Sequence, residues 1–257
     1  MYNDKSKNMG RDKKYWVFAG TGTIILIAVF VGYKMGYRIE DNFKIGKLGT
    51  VSIEIPIINT DIFVDTDQKI TTTKDNEVVK ISLTPTRHSI IVSRQGYFPW
   101  KKDFIVSSGG SVTLFPIFVT QNVSGEIITK NDPEYWKLRN QVSADKPPTK
   151  DSPRTSKDGS VTLWLGSNAI MVNSPRKDPG GTLVIKSETP IRNIYFYKDR
   201  SDAIIFSTSN SVFVIETDKS GTQNFIPIFR GTDPHFIETD PSFIYVLDGE
   251  TLIQVII

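Results

Sequence analysis

Hydrophobic positions follow two patterns along the chain: one long apolar run near the N-terminus, and short alternating runs over the remainder. Residues 15–33 read YWVFAGTGTIILIAVFVGY and contain no charged side chain over nineteen positions. A helix of this length, at ~1.5 Å per residue, covers close to the ~30 Å hydrocarbon core of a bilayer. The pattern predicts a single transmembrane helix, assigned to residues 15–37.

Amphipathic and basic side chains flank this run at both ends. The predicted membrane-interface residues are Tyr15, Trp16, Tyr33, Lys34, Tyr37 and Arg38. Aromatic rings favour the headgroup region, and basic side chains extend toward it. No small-residue cleavage site follows the run, which favours an uncleaved signal anchor over a removed signal peptide. A buried core helix is the other alternative.

The orientation of the helix is predicted from the charges around it. The tail, residues 1–14, carries five basic residues against Asp4 and Asp12. The positive-inside rule places this tail in the cytoplasm and the large C-terminal part outside. Ala28, Gly32 and Gly36 recur at four-residue spacing, which permits self-association through the helix, although small residues are common in membrane helices anyway.

Alternating polar and apolar residues begin after a charged stalk, residues 38–47. Residues 50–55, 61–65 and 79–83 show this period of two, and further strands follow between proline, glycine and asparagine breaks. Several short strands with regular turns predict a small antiparallel β-sandwich over residues 48–120.

One stretch of this region carries a family resemblance. Residues 83–92 read LTPTRHSIIV, and residues 95–100 read QGYFPW. The order resembles the PEGA domain, with His88 and Gly96-Tyr97 at matching positions, although Pro85-Thr86 stands where the family has Pro-Gly. The resemblance implies a β-sandwich in a surface or carbohydrate-adjacent setting, and it implies no catalytic residues.

Residues 121–157 are predicted to be a linker with one short helix over residues 132–141, since Asp132 and Pro133 form a helix start. Residues 158–257 return to short strands, in which AIIFSTSNSVFVIETD and SFIYVLDGETLIQVII echo each other at a spacing of about forty residues. This region resembles a β-propeller of the WD40 or kelch type, without their signature residues. The length of this region allows only an incomplete ring, a ring completed by another chain, or a degenerate propeller remnant packed against the first sandwich. The apolar C-terminal strand is either buried or a self-association edge.

Composition excludes several kinds of chemistry. The chain has no cysteine, so disulfides and thiolate sites are impossible. The net charge of +3 comes from the N-terminal tail, so we expect no nucleic-acid partner. We expect no catalytic residues, no metal site and no cofactor, because neither histidine has a ligand partner at metal-site spacing, the Asp65-Thr66-Asp67 stretch does not continue as a calcium loop, and no nucleophile motif occurs.

Aromatic residues near turns are the remaining candidates for binding. The candidate ligand contacts are Tyr97, Trp100, Trp136 and Trp164, with packing in the core as the alternative. Together these patterns predict a mainly β, membrane-anchored, extracytoplasmic protein that binds or scaffolds at the cell envelope. Its expected partners are the lipid bilayer and a cell-surface glycan or envelope protein. The alternative is an accessory or sensor subunit whose exterior domain binds a ligand and whose helix pairs with a membrane partner.

Overall fold

The computed structural model describes residues 9–39, 45–65, 68–174 and 178–257, and the side chains of residues 9–19, 178 and 179 lie outside that description. The described chain is mainly β, as the sequence predicted. Two α-helices occur in it, α1 (Met9–Lys34) and α2 (Tyr135–Ala144). In the described part of the chain, no helix is long and apolar enough to cross a membrane.

Contacts between residues divide the chain into two compact units. The first unit comprises the chain up to Glu54 together with Val78–Arg87 and Ile105–Leu114. The second unit comprises Ile55–Glu77, His88–Phe104 and Phe115–Ile257.

The first unit contains α1, a hairpin and a three-stranded sheet. The hairpin joins β1 (Tyr37–Ile39) to β2 (Ile45–Lys47). The sheet has the order β6 (Glu77–Leu83), β3 (Gly49–Ile55), β9 (Ser111–Leu114). β3 and β9 run parallel, which corrects the prediction of a purely antiparallel region. A parallel pair needs a long connection, and the long stretch of chain between these two strands provides one.

The second unit begins with a four-stranded sheet. Its order is β5 (Gln68–Thr71), β4 (Asp61–Val64), β7 (Arg87–Ser93), β8 (Trp100–Ile105). Ile62 lies opposite Val92, and Val64 lies opposite Ile90. All four side chains are buried, so the period-two pattern of the sequence defines the inner face of this sheet.

Three antiparallel four-stranded sheets follow, here called sheets I, II and III. Sheet I has the order β11 (Arg154–Thr155), β12 (Thr162–Gly166), β13 (Ala169–Ser174), β14 (Asp178–Lys186). Sheet II has the order β15 (Ile194–Phe196), β16 (Ala203–Ser207), β17 (Ser211–Glu216), β18 (Phe225–Arg230). Sheet III has the order β19 (Pro234–Asp240), β20 (Phe243–Asp248), β21 (Thr251–Ile256), β10 (Gly125–Ile128).

The segment predicted to be a linker supplies strands to two of these sheets. β10 pairs with the C-terminal strand, with Gly125 opposite Val255 and Ile128 opposite Leu252. β11 is the first strand of sheet I. With β10 and β11 included, the described residues form three four-stranded sheets, and they show no propeller-type ring closure.

The C-terminal strand is an interior strand of sheet III. β21 pairs with β20 on one side and with β10 on the other, and Ile257 is buried. The backbone groups of this strand are therefore already paired. It is not a sheet edge at which a second chain could be added. Of the two alternatives for this strand, a buried strand is the one found.

Two hydrophobic clusters lie among the three sheets and α2. One joins sheets I and II, with Leu163 and Ile170 packed in the same cluster as Ile194 and Phe206. The other attaches α2 to sheet III. Here Tyr135, Leu138 and Val142 share one helix face because of their i, i+3, i+7 spacing, and they pack with Ile237, Leu247 and Leu252.

Candidate binding cleft

The first strands of sheets I, II and III contribute to one cleft of about 360 Å³. Sheet I contributes Arg154 and the nearby Lys157, sheet II contributes Tyr195 and the following Asp199, and sheet III contributes Glu238 and Asp240. Polar side chains that converge in a concave site are one feature of small-ligand sites.

Local backbone geometry positions the acidic side chains of this cleft. The turn after β15 is closed by the Arg200 N–H, which donates to the Tyr197 carbonyl at 3.0 Å. Its central residues, Lys198 and Asp199, both have positive φ, at 51° and 58°. Such a two-residue turn favours Asn-Gly, and the left-handed conformation costs an ordinary residue about 1–2 kcal/mol. Strain of this kind concentrates at functional positions.

A second irregularity lies on sheet III. The register of β19 against β20 shifts between Glu238 and Asp240. A bulge changes the direction in which neighbouring side chains point, and bulges are frequent beside functional sites. Here the shift separates two carboxylates that both line the cleft.

Glu238 is the electrostatically unusual residue of the cleft. Its Oε2 atom is buried and has no hydrogen-bond partner among the described residues. Burial raises the pKa of Glu238 to about 8, and repulsion from Asp199 and Asp240 adds to the rise while Arg154 opposes it. At neutral pH this carboxyl is therefore mostly protonated.

Arg154 and Tyr195, which line the cleft together with Glu238, are linked to the end of α2 through Asp145. The guanidinium of Arg154 lies 3.5 Å from the centre of the Tyr195 ring and 3.5 Å from the Asp145 carboxylate. Asp145 follows the last residue of α2 and also accepts a 2.9 Å hydrogen bond from Asn193 Nδ2. Burial raises the pKa of Tyr195 well above its ordinary value, so its hydroxyl stays protonated.

Both basic side chains of the cleft have carboxylate partners. Arg154 pairs with Asp145, and Lys157 Nζ lies 2.7 Å from Asp199 Oδ2. The hydrogen bond and charge of Asp199 raise the pKa of Lys157. In the described residues, no group of three or more His, Asp or Glu side chains has the geometry to hold a metal ion. The cleft thus combines paired cations with a carboxyl oxygen that lacks a partner.

The four predicted ligand-contact aromatics lie elsewhere. Trp100 is only 3% exposed, and its indole N–H donates to Glu216, so its ring is part of the interior and not of a binding surface. Tyr97 is half-buried against Phe118, with ring centres 5.7 Å apart. Trp164 is also half-buried.

Trp136 is the member of the four with a largely exposed ring, at 55% exposure on the outer side of α2. None of the four lines the cleft. The cleft was not predicted from the sequence, because Asp199 lies in a turn, where a carboxylate usually caps the backbone or faces solvent. The one available signal was the carboxylate-rich turn after a short strand, and that signal is common in proteins.

The predicted interface residues at the end of α1 are exposed or in contact with one another. The Arg38 guanidinium lies 3.7 Å from the centre of the Tyr33 ring and donates to the backbone oxygens of Tyr33 and Tyr37. Lys34 Nζ lies 5.7 Å from the Phe30 ring. The side chains of Tyr15 and Trp16 lie outside the described residues.

The small-residue repeat is shorter than the sequence pattern indicated. Gly36 lies after the last residue of α1 and has a φ of 86°. It therefore terminates the helix in a left-handed conformation and is not part of a helix face. Ala28 and Gly32 remain within α1.

Comparison with protein-family models gives no match for this chain, and comparison with curated proteins gives no significant similarity. The resemblances to the PEGA domain and to β-propellers therefore remain predictions from the sequence. The cleft is assigned from its geometry and charge alone.

Proposed function

We propose that this protein is a membrane-anchored, non-catalytic binding or scaffolding protein of the cell envelope, with its β-rich part outside the cytoplasm. The observation that carries the proposal is the surface of α1. Ile24, Ile25, Leu26 and Ile27 are each between 57% and 71% exposed. Four consecutive helical residues, ~100° apart, point in all directions around the axis. A helix that is apolar on every side belongs in a bilayer or in a protein core.

The described side chains of α1 begin at Gly20, whereas the apolar run of the sequence begins at Tyr15. Leaving apolar surface in water costs roughly 25 cal/mol per Å², so the exposed part needs a cover. A bilayer covers all sides of the helix at once. The basic tail and the aromatic and basic residues after the run fit the two faces of a membrane.

The hairpin after α1 extends the apolar surface. Ile39 lies opposite Ile45 in the β1–β2 pair, and both are more than 70% exposed. Opposed residues project from the same face of a hairpin. These two isoleucines follow the Tyr33–Arg38 contact, so they form an apolar patch at the end of α1 where we place the membrane interface.

Membrane extraction tests the anchor. The full chain should stay in the membrane pellet after alkaline carbonate treatment. Leu26→Arg should release a large fraction, because a central charge costs about 2.5–3.5 kcal/mol of insertion free energy. Val78→Arg is the matched control, since it places the same charge at an exposed apolar position of β6 and should leave the chain in the pellet. Complete extraction of the unaltered chain would contradict the proposal.

Cysteine labelling tests the orientation. The chain has no cysteine, so a single introduced thiol is labelled without background. In intact cells, Lys219→Cys in an exposed turn of sheet II should react with a membrane-impermeant maleimide, and Ser6→Cys in the tail should react only after lysis. The reverse result would place the β-rich part in the cytoplasm and overturn the envelope assignment.

The binding role is tested with the full chain in detergent micelles. Retention on cell-wall glycan, weakened by Trp136→Ala at the exposed ring on α2, supports a scaffold. Capture of a single membrane protein in place of glycan supports the alternative, an accessory or sensor subunit. Release of glycan or peptide fragments by the purified chain would overturn the non-catalytic assignment.

A further inference from the structure

Within the described residues, the basic side chains of the cleft have ion-pair partners but not every acidic side chain does, and this difference restricts the class of ligand that fits. Its two basic side chains are already paired, Arg154 with Asp145 and Lys157 with Asp199. Glu238 Oε2 is buried without a partner among the described residues. A buried polar atom without a partner is costly, and a bound group that satisfies it recovers this cost.

We propose that this cleft binds a small organic molecule through an ammonium group that pairs with the Glu238 carboxylate, with Asp199 and Asp240 contributing negative potential. The inference rests on the proposed binding function, because it names a ligand class for this chain, but it does not depend on α1. An ammonium group has three N–H donors and no acceptor, which matches a carboxylate that accepts only.

Other ligand classes fit this cleft less well. An anion would meet Glu238, Asp199 and Asp240 while both basic side chains keep their present partners. A neutral polar ligand would bring no positive charge to these three acidic side chains. The volume of about 360 Å³ lies near the lower end of small-ligand sites, ~300–1,000 Å³, so the cleft has room for a small molecule.

Binding of a cation is linked to a proton at Glu238. The charged groups that act on this carboxyl are Asp199 in the turn of sheet II, Arg154 of sheet I and Asp240 on its own strand. The buried hydroxyls of Tyr195 and Tyr197 stay protonated, because burial raises the pKa of each. A cation beside Glu238 favours the ionised carboxylate, so the proton leaves when the ligand binds. Affinity should rise about tenfold per pH unit below about pH 8 and level off above it.

Isothermal titration calorimetry on the full chain in detergent micelles tests the proposal. The probes are ethanolamine and putrescine, and their neutral counterparts are ethylene glycol and 1,4-butanediol. The amines should bind and the diols should not. Titrations in phosphate and in MOPS, which differ in ionisation heat and contain no primary ammonium group, measure protons released. At about pH 7 we expect release of most of one proton per bound amine, because a group with a pKa of about 8 is then mostly protonated.

Glu238→Gln keeps the shape of the side chain and removes its charge. This variant should weaken amine binding at least tenfold and abolish the proton release. Glu126→Gln is the matched control on the exposed strand β10 and should change neither quantity. Circular dichroism and thermal unfolding verify that both variants fold.

Equal binding of amine and diol, unchanged binding by Glu238→Gln, or no amine heat at both about pH 6 and about pH 9 would each overturn the inference. These outcomes are separable from failure of the proposed function. If the chain binds amines but is extracted by carbonate, the membrane anchor is contradicted and amine binding in the cleft is supported. If the chain stays in the membrane and binds glycan but binds no amine, only the amine-binding inference is contradicted.

Discussion

The indole N–H of Trp100 donates a hydrogen bond to the carboxylate of Glu216, although 116 positions separate the two residues along the chain. The same carboxylate lies 3.4 Å from Lys102 Nζ and accepts from Asn224 Nδ2 at 3.1 Å. Lys102 and Glu216 are both almost completely buried. This network attaches β8 to sheet II, so Trp100 has a structural role that its sequence context did not reveal.

The first prediction concerns the buried pair of this network. Lys102→Met should lower the free energy of unfolding by about 3–5 kcal/mol, because it leaves Glu216 as a buried charge without its cation. Glu216→Gln should cost less, since Lys102 retains Asp218 at 3.0 Å. Urea unfolding of both variants measures these values.

The double variant Lys102→Met/Glu216→Gln completes the cycle. It should be more stable than Lys102→Met alone, because no unpaired charge remains in the interior. A double variant whose loss equals the sum of the single losses would show that the two side chains do not interact.

The second prediction concerns Gly221, which lies in the turn after β17 and contacts β8. Gly221 has a φ of 69°, and a Cβ at this position would overlap the backbone carbonyl oxygen of Asp103. Gly221→Ala should cost about 2–4 kcal/mol, from the left-handed backbone and from displacement of β8. Gly249 has a similar φ of 61° with nothing within 4 Å of a Cβ. Gly249→Ala therefore measures the backbone cost alone, and equal thermal shifts for the two variants would contradict the contact with Asp103.

Local patterns predicted most strands but not which strands pair. The alternation around Ile62 and Ile90 correctly indicated half-buried strands, because burial of one face has a local period of two. β10 was assigned to a linker, since its four residues are too few to show a period and its pairing partner β21 is at the far end of the chain. Pairing over such a distance leaves no local signal.

The cleft was unpredictable for a related reason. Arg154, Tyr195 and Glu238 belong to three different sheets, and no spacing in the sequence brings them together. The pKa of Glu238 depends on burial and on charges from other strands. The prediction for Trp100 differed from the structure because a tryptophan near a turn has the same local sequence whether it faces solvent or a buried carboxylate.

The third prediction is a pH dependence of stability that arises from Glu238. Its pKa is raised from an ordinary 4.5 to about 8 in the folded state. Between these values the folded chain binds more protons at this site than the unfolded chain does, so the contribution to stability decreases as pH rises. The slope from one such group cannot exceed about 1.4 kcal/mol per pH unit. Glu238→Gln should therefore gain stability relative to the unaltered chain as pH rises from about 5 to about 8.

Chemical denaturation of the two chains at several pH values measures this difference. The exposed control Glu126→Gln should follow the unaltered chain at every pH. A constant difference between Glu238→Gln and the unaltered chain over the whole pH range would show that Glu238 titrates normally in the folded state.

The last prediction concerns Asn193, the completely buried side chain behind the cleft. Its Oδ1 accepts from the Phe236 N–H at 3.0 Å and from Ser207 Oγ at 3.3 Å, and its Nδ2 donates to Asp145 at 2.9 Å. One amide therefore connects sheet II, sheet III and the residue that follows α2. Asn193→Ala should cost about 1–3 kcal/mol, because the Phe236 N–H loses its acceptor in the interior. The exposed Asn131→Ala should change the stability little.

Asn193→Asp separates hydrogen bonding from shape. It keeps the acceptor for Phe236 but places a second carboxylate against Asp145 in place of a donor. Like charges in a buried site repel strongly, so this variant should be less stable than Asn193→Ala at neutral pH. Acidification protonates one of the two carboxyls and should recover much of the loss. Urea unfolding at about pH 7 and about pH 4 tests this, and a loss that does not depend on pH would show that Asp145 does not face residue 193.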